Sequence, residues 1–185
     1  MDEGAQQAAL QPHLLPGESI LWTGRPDPRR LLSSADWYIV PFTLMWGGFA
    51  IVWEAGVIFY GAPPLFVLWG IPFVLVGQYM IWGRFLYKRW DRSRTGYAVT
   101  NQRLLALRGS HLRSMRLSLV PSINQSTRPD GGGSLDFAAS HYPTGYWANA
   151  GMPGFDRSRA GLAFYDIPDV AGVHRLIAEM QSGKG

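Results

Sequence analysis

The residues able to do chemistry in this chain are few and scattered. His13, His111, His141 and His174 stand in unrelated contexts, with none of the spacings that hold a metal ion. There is no cysteine, which excludes disulfides, thiolate catalysis and cysteine zinc sites. Gly131-Gly132-Gly133-Ser134 lacks the Lys-Ser/Thr that makes a glycine loop a phosphate cradle, so it reads as a hairpin turn. No nucleophile elbow accompanies the Ser, His and Asp residues. The expectation is a protein that is not an enzyme and carries neither cofactor nor metal. Two features remain. From Trp37 to Gly83 the chain has one charged side chain, Glu54. Directly after comes a basic run, Arg84, Lys88, Arg89, Arg92, Arg94, Arg103, Arg108, Arg113 and Arg116, with Asp91 as its only acid.

The apolar stretch sets the architecture. A helix of about 20 apolar residues crosses a bilayer, and the stretch holds two, read as 37–60 and 64–83. Gly61-Ala62-Pro63 forms the turn. Trp37, Tyr38, Tyr79, Trp82, Tyr87 and Trp90 suit the headgroup level. Arg25, Arg29 and Arg30 precede the hairpin, the basic run follows it, and the turn has no cation, so both termini are expected on the cytoplasmic side. The first 36 residues contain no apolar core with a small-residue cleavage site, so the first span is expected to act as its own insertion signal.

Each polar group near the hairpin has two readings. Arg84, Lys88, Arg89, Arg92 and Arg94 are candidate contacts for anionic lipid headgroups; the same charges also serve topology alone. Glu54 is a candidate intramembrane site, but it stands about two helical turns from Gly61, close enough to reach the outer surface. Gln78 is a candidate interhelical hydrogen bonder. Gly70 and Gly77 lie seven apart on one helical face, where small residues let helices approach. The arginines are not interleaved with aromatics as on a nucleic-acid surface, so no nucleic-acid partner is expected.

The arms are polar. Residues 1–13 are Gln- and Ala-rich and are expected to be disordered; 14–36 form a cytosolic juxtamembrane segment with a short strand, Glu18–Thr23. After Trp90 the pattern becomes short strands and turns: Tyr97–Thr100, Arg103–Arg108, Met115–Val120, then a hairpin from Ser122–Arg128 to Leu135–Ala138. Gly161–Ile167 is a last strand. Val170–Met180 is a helix with Val173, Leu176, Ile177 and Met180 on one face. Ser140–Ala160 is a long Gly-, Pro- and aromatic-rich loop. Tyr142, Tyr146, Trp147 and Phe155 make it a candidate partner-binding loop.

Tyr97-Ala98-Val99-Thr100-Asn101-Gln102-Arg103-Leu104-Leu105 resembles the opening hairpin of bacterial pleckstrin-homology-like (PH-like) domains, with its aromatic–x–aliphatic–Thr–x–x–Arg–aliphatic pattern. Gly17–Pro26 resembles the segment before the membrane hairpin in membrane-anchored members. Gly133-Ser134-Leu135-Asp136-Phe137 resembles the strand after the hairpin tip, and Phe164–Asp169 with Val173 to Ile177 the final strand and helix. The resemblance implies a transmembrane hairpin joined to a mainly-β domain over 94–182, two antiparallel sheets capped by a C-terminal helix, with 140–160 inserted. It implies a binding or assembly module at the bacterial inner membrane, for membrane lipids, an unknown protein partner or further copies of itself. The rival expectation is an oligomeric accessory of a transport or channel system that uses Glu54.

Overall fold

The structure is a computed structural model and describes residues 3–33, 36–137 and 161–183. Tyr142, Tyr146, Trp147, Phe155 and the rest of the 140–160 loop lie outside the described residues. The chain divides into two compact units. One takes 3–30, 90–137 and 161–183; the other takes 31–89, residues 34 and 35 excepted.

The first unit is built from strands that alternate with period two. A four-stranded antiparallel sheet runs in the order β1-β2-β3-β4, from β1 (Ile20–Gly24), β2 (Thr95–Thr100), β3 (Arg103–Arg108) and β4 (His111–Arg116). A three-stranded antiparallel sheet has the order β5-β6-β7, from β5 (Asn124–Thr127), β6 (Gly133–Asp136) and β7 (Ala163–Ile167). β1 pairs with β2, Gly24 opposite Tyr97, so the segment before the apolar hairpin is an edge strand of the domain and not a separate linker. The hairpin is an insertion between two neighbouring strands.

Side chains on one face of the four-stranded sheet, Tyr97, Val99 and Leu104, join Leu135, Phe137, Phe164 and Ile167 in one core. Phe164 stands at its centre, 4.7 Å from the Tyr97 ring, 5.0 Å from Phe137 and 6.0 Å from Trp22. The final helix, Val170–Ser182, closes this core with Val173 and Ile177. Asp169 caps it, accepting from the Gly172 amide at 2.8 Å. The opposite face of the sheet, Ala98 and Leu105, is covered by Leu10. Every residue of β2 is therefore buried.

Three expectations change. Residues expected to be disordered form helix α1 (Glu3–Leu10) and a 3-10 turn (Gln11–His13). The Gln6 amide of α1 donates to the carbonyls of Gly24 and Tyr97, so a Gln-rich stretch finds partners on the sheet. The strand placed at Met115–Val120 is instead β4 ending at Arg116, followed by a 3-10 turn, Leu117–Leu119; burying Leu117 in the core ends the extended run. The second apolar helix does not stop at Gly83. It comprises α3 (Pro64–Gln78), a π turn (Tyr79–Gly83) and α4 (Arg84–Ser93), running on as one helix of 30 residues, Pro64–Ser93.

The second unit pairs α2 (Asp36–Phe59) with α3. The buried positions of α2 are Asp36, Ile39, Thr43, Gly47 and Ala50, a narrow stripe at helical spacing. Those of α3 are Gly70 and Gly77. A Cβ on Gly77 would stand 3.0 Å from the Gly47 backbone, so the helices touch through glycine.

One glycine in the first unit has no room for change. A Cβ on Gly133 would overlap the backbone carbonyl of Ser126, the residue facing Ser134 across the β5–β6 ladder. Gly133→Ala should therefore destabilise the domain by about 1–3 kcal/mol, the usual cost of overpacking. A thermal melt followed by tryptophan fluorescence checks it against Gly4→Ala, an exposed helical position with open space around it.

Candidate functional site

Three groups of charged residues are built into the structure. In the first unit, Glu18 lies at the end of a turn where Gly17 takes φ 76°. Its side chain is buried. Oε1 accepts from Thr100 Oγ1 at 2.7 Å and Arg103 Nε at 2.8 Å. Oε2 accepts from the Leu15 amide at 2.7 Å and from a terminal Arg103 nitrogen at 2.9 Å. Thr100 Oγ1 also accepts from the Arg103 amide at 3.0 Å and so shapes the β2–β3 turn. Asn101 Oδ1 accepts from the Ser19 amide at 3.1 Å. Thr100, Arg103 and Glu18 form one cluster. Burial alone would push the Glu18 carboxyl up, but Arg103, the Leu15 amide and Thr100 together hold it down at about 2. The same contact raises Arg103.

The second group is centred on Asp166, the last polar residue of β7, at φ 52°. Its carboxylate takes Arg92 on one oxygen and Arg128 on the other. Arg92 also donates to the Asp27 carbonyl at 2.9 Å and to that of Arg30. The Asp166 amide donates to Ser134 Oγ at 3.1 Å, and its carbonyl accepts from the Asp27 amide at 3.1 Å. Arg30 pairs with Asp130.

The third group lies in the helical unit. Asp36, at the start of α2, is 3% exposed, and Arg84 and Lys88 are each 1% exposed. Asp36 Oδ1 accepts from Arg84 and Oδ2 from Ser33 Oγ at 2.8 Å. Lys88 Nζ is 3.9 Å from Asp36 Oδ2 and donates to the Leu31 carbonyl at 2.7 Å. At the opposite end of the seam, Glu54 turns toward α3. A Cβ at Gly70 would fall on its carboxyl, and Oε2 is buried with no hydrogen-bond partner among the described residues. The expected reach to the outer surface is thus replaced by an inward position over Gly70.

The candidate lipid contacts separate. Arg84, Lys88 and Arg92 are buried among protein partners, which corrects the expectation that all five cations face headgroups. Arg89 and Arg94 are exposed, Arg94 with its guanidinium 4.3 Å over the Trp90 ring. Gln78 is half-buried beside Gly77. Among the described residues no three His, Asp or Glu side chains are grouped to hold a metal ion. Sequence reasoning missed Asp36 and Asp166. Asp36 carried a signal, as the acid immediately before the first span; Asp166 carried none, because its partners are distant in the chain. No protein-family model, no curated protein and no solved structure matches the chain.

Two outcomes follow from these clusters. Because the Glu18 carboxyl is held below its ordinary value, its contribution is complete above about pH 4.5 and fades as pH falls toward 2. A shift from 4.5 to about 2 corresponds to about 3 kcal/mol. Glu18→Gln should lower stability by that order at pH 7, with a smaller loss between pH 4.5 and 2 than the parent, read from denaturation curves at each pH. Asp36→Asn leaves Arg84 and Lys88 buried without their carboxylate and should cost about 3–5 kcal/mol. Its melting temperature in detergent should fall well below that of Asp36→Glu.

Proposed function

We propose that the chain is an integral membrane protein whose two apolar helices span a bilayer and hold a PH-like domain at its cytoplasmic face, as a binding or assembly module. The observation that carries this reading is the exposure of the helices. Only 22% of the apolar window of the first and 11% of that of the second is buried. Phe49, Val52 and Leu68 are 66%, 73% and 65% exposed. In water so much apolar surface would be costly at about 25 cal/mol per Å²; hydrocarbon covers it. Their polar groups collect on the seam between them, as helices in lipid require.

Connectivity supports the orientation. β1 and β2 lie on either side of the insertion and pair in one sheet, so both ends of the hairpin leave from one side of the membrane. The cations flanking those ends make that side cytoplasmic. The PH-like reading rests on the four- and three-stranded sheets with a C-terminal helix and on the Thr100–Arg103 turn that clamps Glu18. The module presents the edge strands β4, β5 and β7 to a protein partner or to further copies by β-augmentation, or its exposed cations to an anionic lipid surface. A bacterial inner membrane is the setting the resemblance implies.

A second reading is favoured by the inward position of Glu54. Two helices cannot enclose a pathway, so this reading requires an oligomer in which Glu54 serves an ion or proton route as part of a transport accessory. Vesicles carrying Glu54→Gln should then leak protons or cations less than vesicles carrying the parent; equal leak removes the reading.

The absence of cysteine makes a direct test of the first reading simple. Single cysteines at Pro12, Ala62 and Ser182 should react with a membrane-impermeant maleimide from opposite sides: Ala62→Cys in intact cells, Pro12→Cys and Ser182→Cys only after the cytoplasmic face is opened. Labelling of all three in intact cells, or extraction of the protein by carbonate, overturns it.

A further inference from the structure

We infer that the lipid-facing belt of the second helix runs past Gly83 to Leu86, that Arg89 is its cation at headgroup level, and that Arg84 and Lys88 serve the interior of the hairpin instead. This rests on the bilayer reading above and specifies which side chains meet lipid.

The end of the second helix is an amphipathic helix turned inside out. At about 100° per residue, Trp82, Leu86 and Arg89 share one stripe of the helix, and Arg84 and Lys88 lie on the other side. In water the apolar stripe turns inward and the charges outward. Here Arg84 and Lys88 are each 1% exposed while Trp82 is 66% and Leu86 70% exposed. Within the same unit Asp36 accepts from Arg84 and lies beside Lys88, the Leu31 carbonyl accepts from Lys88, and Ser33 donates to the Asp36 carboxylate. Outward leucine with inward arginine fits surroundings that are apolar.

Two further observations set the depth. Arg84 bonds Asp36, so the start of α2 stands level with it. The next residues there, Trp37 and Tyr38, are 79% and 71% exposed, the aromatic pair expected at the interface. The lengths also agree. From Asp36 to Phe59 the rise is about 35 Å, and from Pro64 to Leu86 about 33 Å, both enough for a hydrocarbon core of about 30 Å with some tilt. Arg89 is exposed on the same stripe one turn later, where a long side chain reaches lipid phosphates.

The test uses the full chain in vesicles containing anionic lipid, with single nitroxide-labelled cysteines at Phe49, Leu68, Leu86, Arg89 and Ser118, the last an exposed domain position. Collision rates with oxygen, which concentrates in hydrocarbon, are compared with those of a water-soluble nickel chelate. Leu86→Cys should be oxygen-dominated like Leu68→Cys, and Arg89→Cys should shift toward the chelate. Chelate collisions at Leu86→Cys as frequent as at Ser118→Cys, with Phe49→Cys and Leu68→Cys still oxygen-dominated, overturn the inference and leave the bilayer reading standing. Chelate-dominated collisions at Phe49→Cys and Leu68→Cys overturn both.

Discussion

Arg92 is the joint on which the domain depends. β1 and β2 are neighbours in a sheet although the whole apolar hairpin separates them in the chain. The outgoing segment must therefore be fastened to the returning one. Arg92, on the returning helix, donates to the carbonyls of Asp27 and Arg30 on the outgoing segment and pairs with Asp166 on β7. Asp166 takes a left-handed backbone conformation at φ 52°, which aspartate tolerates better than most residues. Its strain, of order 1–3 kcal/mol, is offset by two guanidiniums and a hydrogen bond from its amide to Ser134.

The same chemistry recurs at each buried acid. Glu18 pairs with Arg103, Asp36 with Arg84, Asp91 with Arg108 and Asp166 with Arg92. A guanidinium suits these sites because its planar fork makes several hydrogen bonds at once and keeps its charge when buried. The arginine bias of the chain thus has a structural use as well as any compositional origin. Such pairs add little stability over an apolar filling, yet removing one partner is costly because the other stays buried and charged. Each pair specifies one arrangement: the first arm on the β2–β3 turn, α2 on the second helix, and β7 on the returning chain.

Much of the fold was legible because it rests on local pattern. The hairpin followed from an apolar stretch with one charged side chain, the strands from alternation and turn residues, and the last helix from Val173, Leu176, Ile177 and Met180 at helical spacing. Close approach at Gly70 and Gly77 was also legible, since small residues seven apart mark one face. Residues 3–13 were not. A short polar stretch has no periodicity to betray a helix whose stability comes from Gln6 and Leu10 on a sheet formed far downstream.

By itself the sequence determined that two long apolar helices exist, that cations flank the entry and exit of the hairpin but not its turn, and that the remainder makes short strands closed by a helix. These follow from hydropathy and period, which each segment carries within itself. Only the tertiary structure decided which way the charges face. Arg84, Lys88 and Arg92 stand in a basic run that reads as a surface, yet their acids lie on other elements: Asp36 at the start of the first long helix, Asp166 on the last strand. A salt bridge between residues distant in the chain leaves no local pattern, because its energy comes from a proximity that folding alone creates.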